Sequence, residues 1–141
     1  MEARLFAQSE IGGFKSKGDL RKWLRGELRG RGGLYFLRKK YKVKPDSLAF
    51  FEEEGCIVGC AIVIEPPHEI KELDEKSWWE KTGRRADFRV VMRVDPTWIY
   101  VWECHQDITL TEIDIRFKPG PPMTLDARQV LMIFSLVDAR R

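Results

Sequence analysis

Two adjacent tryptophans, Trp78 and Trp79, lie in a polar stretch of the chain, nine to ten residues before the apolar run FRVVMRV that begins at Phe88. Large aromatic side chains outside any apolar stripe are costly to expose, so they must pack against something. One suitable surface is a nucleobase, and stacking a base on an aromatic side chain contributes about 1–3 kcal/mol. The alternative is that both indoles close one end of a barrel, and the residues alone leave both interpretations open.

Positive charge is concentrated in one segment. Residues 15–44 hold twelve basic and two acidic side chains, whereas residues 45–75 hold nine acidic and one basic, although the whole chain carries only +3. Tyr35, Phe36 and Tyr41 are interleaved with the basic residues, which indicates a polyanion-binding surface rather than a solvated helix face. The residues that we expect to contact a nucleic-acid backbone are Lys15, Lys17, Arg38, Lys39, Lys40, Lys42, Arg84 and Arg85.

Residues suited to catalysis are few. The chain has no P-loop, GxSxG, GxGxxG or HExxH motif. Cys56, Cys60 and Cys104 are odd in number and find no fourth ligand at metal spacing, so we expect reduced cysteines and no metal. Cys104 and His105 are adjacent, which on a strand would point them to opposite faces; His68 follows a Pro-Pro break. We therefore expect a binding module without catalytic residues or a cofactor.

Length and composition predict one folded domain over residues 1–141. An apolar content of 43% supports a real core, and no run approaches the length of a membrane span. The N-terminus lacks a signal-peptide pattern, so we expect a cytoplasmic protein with no membrane partner. The sequence contains no Asn and much Lys, Arg and Glu, a bias typical of hyperthermophile proteins.

The elements that must position these residues are mixed helices and strands. ARLFA predicts a first strand, and Asp19 can cap a helix over LRKWLRGEL. LYFL is either a strand or a turn of helix. LAFFEE and CIVGCAIVIE predict a hairpin with acidic residues at its tip and a bulge or close backbone approach at Gly59. FRVVMRV and WIYVWEC predict two strands separated by a turn at Asp95-Pro96, and Thr124 caps a closing helix. Together they predict an α+β fold with a small barrel-like sheet.

Six segments in this order resemble a YTH domain, within the PUA-like group that includes the EVE and ASCH domains. The segments are RLFAQS, DLRKWLR, GGLY, LAFFEEEGCIVGCAIV, WWEKTGRRADFRVVM and TLDARQVLMIF. They correspond to the family's first strand, following helix, Gly-aromatic pair, hairpin, second cage segment and final helix. The hairpin fits an EVE domain equally well, whereas the closing helix and the tryptophan spacing favour YTH.

The resemblance implies a reader of N6-methyladenine, which such domains hold in an aromatic cage. By this likeness Tyr35 and Trp79 would be two walls of the cage, and the backbone carbonyl of Phe36 would accept the remaining N6–H of the base. Asp19 matches the acidic residue that binds the base edge, although it would serve equally well as a helix cap only.

The chain departs from the family pattern at two cage positions. The first wall is Tyr35 where the family usually has Trp. The third wall is open, because Arg84 stands where some members have a second Trp; Trp78 or Trp98 would then substitute.

The partner expected from this resemblance is nucleic acid, and the thermophile-like composition favours DNA over RNA. Archaeal McrB-type restriction GTPases carry N-terminal modules of the PUA-like group that detect modified DNA, which implies fused or associated GTPase and nuclease subunits. Two alternatives stay open. One is an RNA-binding PUA-, EVE- or YTH-type protein that reads N6-methyladenine RNA or binds tRNA or rRNA. The other is an ASCH-type enzyme using a Lys–Glu pair such as Lys81 and Glu80.

Overall fold

A computed structural model describes residues 1–7, 19–70, 89–116, 118 and 120–141. Of the residues to which the sequence assigns a role, several lie outside this part of the chain, together with the side chain of Asp19: Lys15, Lys17, Trp78, Trp79, Glu80, Lys81, Arg84, Arg85 and Phe88. The other candidate residues lie on described strands and loops.

A seven-stranded mixed sheet forms the framework. Its strands are β1 (Ala3–Ala7), β2 (Leu34–Leu37), β3 (Leu48–Glu53), β4 (Cys56–Glu69), β5 (Val90–Val101), β6 (Ile108–Thr109) and β7 (Met123–Leu125). The order is β2-β5-β4-β3-β1-β7, with β6 paired to β4 and only β1 and β3 parallel. The α+β class is confirmed. Within the described residues the sheet stays open, because its end strands β2 and β7 do not pair, so a closed barrel is not formed.

In the described residues, two helices and two short 3₁₀ turns accompany the sheet. Helix α1 (Asp19–Trp23) runs into a π-helical turn (Leu24–Leu28), and α2 (Ala127–Ala139) closes the described chain. The N-cap of α2 is Asp126, whose carboxylate accepts the Gln129 N–H, and not the expected Thr124. The 3₁₀ turns are Cys104–Gln106 and Leu110–Ile113. None of the helices described is both long enough and apolar enough to traverse a lipid bilayer.

The sheet separates two apolar clusters because successive strand residues point to opposite faces. On one face, the first core packs Tyr35 and Phe51 against α1 and the π-helical turn. On the other, the second core packs Phe50 and Trp102 against α2. Trp102 is buried, and its indole N–H donates to the Ile57 carbonyl at 2.8 Å. The place of Trp102 in the apolar run WIYVWEC predicts a structural residue, and its burial confirms this.

The β3–β4 hairpin follows the sequence prediction with one correction. Glu54 and Gly55 both have positive φ, 50° and 82°, as a tight two-residue hairpin turn requires. At Gly59 an added Cβ would lie 2.7 Å from the Tyr100 carbonyl oxygen, so the close backbone approach is confirmed. The acidic run does not all decorate the tip, because Glu52 and Glu53 are buried. Burial is the main cause that raises the pKa of Glu52.

The expected turn at Asp95 and Pro96 is a bulge within one strand. β5 is continuous through these residues, and its register against β4 shifts between Val94 and Ile99. Asp95 Oδ1 accepts from both the backbone N–H and the hydroxyl of Thr97, at 2.9 and 2.6 Å. These bonds lower the pKa of Asp95. A bulge of this kind adds residues on one strand without ending the pairing.

Candidate functional site

Two glycines fix the start of β2, the strand that carries Tyr35 and Phe36. Gly32 and Gly33 have φ values of 72° and 81°, which side chains rarely adopt. A Cβ at Gly33 would lie 1.9 Å from the carbonyl oxygen of Val94. Only glycine therefore lets the chain turn against β5 at this point. The strand that follows is set in register with Tyr35 opposite Met92.

Tyr35 lies at the centre of an aromatic cluster in the first core. Its ring meets Phe6 and Trp23 edge-on, at centroid distances of 5.6 and 5.8 Å, and stacks on Phe51 at 5.2 Å. The relative exposure of Tyr35 is 0%. Sequence reasoning selected Tyr35 but missed its three partners, because they come from three distant segments. A base would reach this ring only after the surrounding groups rearrange.

The backbone of Phe36 is directed away from the sheet. Val94 N–H donates to the Gly33 carbonyl at 2.8 Å, which makes residues 33 and 94 a hydrogen-bonded pair. Such pairs alternate along an antiparallel ladder, so Tyr35 is bonded to β5 and the amide and carbonyl of Phe36 point to the outer side of β2. β2 is the terminal strand of the described sheet. The Phe36 carbonyl thus faces away from β5, and the Phe36 side chain is buried.

A buried carboxylate positions the start of α1. Glu53 Oε2 accepts the backbone N–H of Leu20 at 3.0 Å, across the first core from β3. This bond satisfies one of the amides that a helix leaves without an intrahelical partner. It also fixes the backbone next to Asp19, the residue expected to bind the base edge. Sequence reasoning missed Glu53, since nothing local indicated that this acid faces inward.

The chain returns to the sheet beside Tyr35 after the tryptophan-bearing segment. Ile70 N–H donates to the Arg89 carbonyl at 3.0 Å, so the residues that flank segment 71–88 lie side by side. One residue later β5 begins, and Val90 pairs with Leu37 of β2. The two chain segments that were expected to supply cage walls are therefore joined to neighbouring strands.

Three arginines of the basic segment belong to the fold. Arg21 is buried and donates to the Trp102 carbonyl and, at 2.5 Å, to Asp107. Arg25 donates to the Trp102 carbonyl at 3.2 Å, and Arg29 to the Ile99 carbonyl at 2.6 Å. These guanidinium groups bind α1 and the turn after it to the carbonyls at the end of β5. These guanidinium groups are therefore engaged in hydrogen bonds within the fold.

The lysines after β2 are arranged differently. Tyr41 packs partly buried against the first core and Val43 is buried in it, so the residues between and beside them point outward. Lys40, Lys42 and Lys44 are exposed, and we call these three residues the lysine ridge. The described part of the chain forms no ion pair with the ridge. Arg38 and Lys39 are exposed beside it, so the cations predicted here to contact phosphates all lie at the surface.

The structure does not bring Trp98 to Tyr35. Ile99 is buried in the first core, so its neighbours Trp98 and Tyr100 point to the opposite face of β5. Tyr100 contacts Trp102 of the second core, at a centroid distance of 5.6 Å. The exposed fractions of Trp98 and Tyr100 are 40% and 39%. Trp98 thus lies on the other face of the sheet from the aromatic cluster that it was expected to complete.

The cysteines and histidines do not combine into a reactive centre in the described residues. Burial raises the pKa of the Cys60 thiol to about 12, which keeps it protonated. His68 Nδ1 lies 3.0 Å from the Pro66 carbonyl oxygen, a local contact. Among the residues described, no three His, Cys, Asp or Glu side chains gather as metal ligands.

Comparison with solved structures identifies the fold. The chain is similar to the YTH domain of the Zygosaccharomyces rouxii MRB1 protein, whose crystal structure was determined in complex with N6-methyladenosine RNA. The TM-score is 0.53 at 15% sequence identity, and the match covers 99% of this chain and 88% of that one. No family model and no curated protein matches the sequence. The fold is therefore YTH-like.

Proposed function

We propose that this domain binds nucleic acid that contains N6-methyladenine and takes the modified base into a site beside the outer side of β2. One observation carries the proposal: an outward-facing backbone group and a set of exposed lysines lie on one short stretch of chain. Phe36 turns its backbone outward from the terminal strand, and the lysine ridge begins four residues later. An acceptor for a base edge and cations for phosphates thus lie side by side. The YTH-like fold supports the same function, since the similar domain was solved with N6-methyladenosine RNA.

In the proposed complex, Tyr35 and Trp79 would be walls of the cage and the Phe36 carbonyl would accept the N6–H of the base. Asp19, held by the Glu53 bond to the neighbouring amide, would bind the base edge. Trp78 remains the candidate for a third wall. A single N-methyl group contributes about 0.8 kcal/mol when buried. With modest aromatic contacts, discrimination against unmodified adenine should amount to about one to two orders of magnitude.

The base must leave its stack to enter such a site, which in a duplex costs a few kcal/mol. Contacts between phosphates and cations have to offset this cost. The lysine ridge, with Arg38 and Lys39, supplies exposed cations in the described part of the chain; Lys15, Lys17, Arg84 and Arg85 remain candidates for the rest.

DNA is the first candidate ligand, because the thermophile-like composition and the PUA-like resemblance point to a module that targets a modification-dependent restriction system. In that setting the GTPase and nuclease would be fused or associated subunits in the cytoplasm. RNA is the second candidate, favoured by the ligand of the structurally similar domain. The 2′-hydroxyl is the group by which a protein distinguishes the two.

One binding experiment tests the proposal. Fluorescence anisotropy would measure the affinity for four matched single strands, DNA and RNA, each with adenine or N6-methyladenine at one position. We expect tighter binding of the methylated strand in at least one of the two pairs. Equal affinity within both pairs would refute methyl reading and favour a PUA-type RNA binder if RNA is bound more tightly. Turnover of a modified nucleoside would instead favour the ASCH-type enzyme.

A further inference from the structure

A second aromatic surface lies on the face of the sheet opposite to Tyr35. Trp98 and Tyr100 are alternate residues of β5 and point to the same side, each about two-fifths exposed. Ile64 of β4, also exposed, adds to the apolar surface that the described chain presents. Exposed apolar side chains that lie next to one another form a patch, and such patches often mark a binding surface.

A cationic group reaches the edge of the same strand. Arg29, which follows the π-helical turn, donates to the carbonyl of Ile99 between the two aromatic residues in sequence, at 2.6 Å. Arg25 reaches the Val101 carbonyl at 3.4 Å but is paired with Glu103 at 3.1 Å. Arg29 is exposed and forms no ion pair with the described residues, so its charge is available to an anion. Stacking rings beside a cation fit a single nucleic-acid strand, whose bases have flat faces and whose phosphates are negative.

We propose that Trp98 and Tyr100 form a second nucleic-acid site, which stacks unpaired bases while the exposed Arg29 attracts an adjoining phosphate. Alternate residues of a strand are about 6.6 Å apart, roughly twice the 3.4 Å rise of stacked nucleotides. Neighbouring bases must therefore separate to engage both rings, which a single strand does at lower cost than a duplex. The site rests on the chain being a nucleic-acid binder but is independent of methyl reading.

The test uses the complete chain and an unmethylated probe, single-stranded oligothymidine, with oligouridine as the ribose counterpart. Trp98→Ala combined with Tyr100→Ala should weaken binding of at least one probe by about tenfold or more, since stacking contributes about 1–3 kcal/mol per base. Trp98→Phe combined with Tyr100→Phe should retain most of the affinity because both rings remain. Ile64→Ala is the matched control, which removes exposed apolar surface without removing a ring.

Further measurements decide whether the proposal holds. Circular dichroism and thermal melting would show that the double-alanine variant folds, and if it does not, the single Trp98→Ala variant takes its place. Unchanged affinity of a folded variant would overturn the proposal, as would an equal loss on Ile64→Ala. If the variant loses self-association but binds oligonucleotides unchanged, the proposal is wrong and the surface binds a second copy of the chain. The N6-methyladenine preference should be the same in variant and wild type, so failure of this site is distinguishable from failure of methyl reading.

Discussion

Removing the lysine ridge should change the salt dependence of binding more than any other property. The ridge contributes three exposed positive charges at Lys40, Lys42 and Lys44. Each lost phosphate contact reduces the slope of log affinity against log salt by about 0.7 for a single strand and about 0.9 for a duplex. The triple alanine variant should therefore have a slope flatter by about 2–3. Over a fourfold rise in salt, wild type should lose roughly 20- to 40-fold more affinity than the variant.

The measurement is a salt series of dissociation constants for matched strands with and without N6-methyladenine. The control variant, called the α2 control, removes the same number of charges elsewhere, by Lys118→Ala, Arg128→Ala and Arg141→Ala, all at exposed positions outside the ridge and two of them in or next to α2. Loss of net charge alone affects both variants alike, whereas loss of phosphate contacts affects only the ridge variant.

Two outcomes would contradict the role of the ridge. One is an unchanged slope in the ridge variant, and the other is an equal change in the α2 control. Methylated and unmethylated strands carry the same phosphates, so their affinity ratio should stay constant in the ridge variant. If the affinity ratio of methylated to unmethylated strands falls together with the salt slope, these lysines contribute to recognition of the base as well as to phosphate binding.

Three further predictions concern stability and are checked by denaturant unfolding. Gly33→Ala should destabilise by at least about 2 kcal/mol, because its Cβ meets a carbonyl of β5 at 1.9 Å, whereas Gly26→Ala, with no atom within 4 Å, should not. Tyr35→Ala should cost about 3–5 kcal/mol and Tyr35→Phe much less, because the ring stays in place; a small cost for Tyr35→Ala would contradict the closed aromatic cluster. The hydrogen bond from Arg140 chiefly lowers the pKa of Glu112 to about 2. This stabilisation is present above the ordinary value of 4.5 and is lost as pH falls toward 2, so Glu112→Gln should lose that part of the acid dependence.

Strands β1, β3 and β4 and the two covering helices could be predicted because their signals are local, whereas the sequence leaves β2 open, predicts two strands in place of β5, and does not predict β6 and β7. The hairpin at Glu54 and Gly55 and the close approach at Gly59 follow from glycine chemistry and strand patterning within a short window. Trp102 could be assigned to the core because it sits in an apolar strand. The caps and turns were predicted less well. The N-cap of α2 is Asp126, two residues after the predicted Thr124, and the irregularity predicted at Asp95 and Pro96 is a bulge within one strand and not a turn between two.

The use of charge could not be predicted, because it depends on contacts between distant residues. Arg21 and Arg29 bind carbonyls that are 81 and 70 residues away in sequence. Local composition gave them the same interpretation as Lys40, as part of one polyanion-binding segment. The structure divides that segment into arginines that attach a helix to β5 and lysines that face solvent. The side of β5 on which Trp98 lies also depends on the bulge at Asp95 and Pro96. The sequence predicted a turn at these residues, so it did not predict that side.

The burial of Tyr35 in its aromatic cluster would affect how tightly a domain of this kind binds a modified base. The ring has no exposed surface, so the conformation that admits a base is a minor one, and the apparent affinity is reduced by its population. If about one molecule in a hundred is open, the apparent dissociation constant rises about a hundredfold, equivalent to about 2.7 kcal/mol. A buried methyl group contributes only about 0.8 kcal/mol and cannot offset this cost alone. Contacts to phosphates must supply the difference, so the lysine ridge would set the absolute affinity and the cage would set only the ratio between methylated and unmethylated ligands.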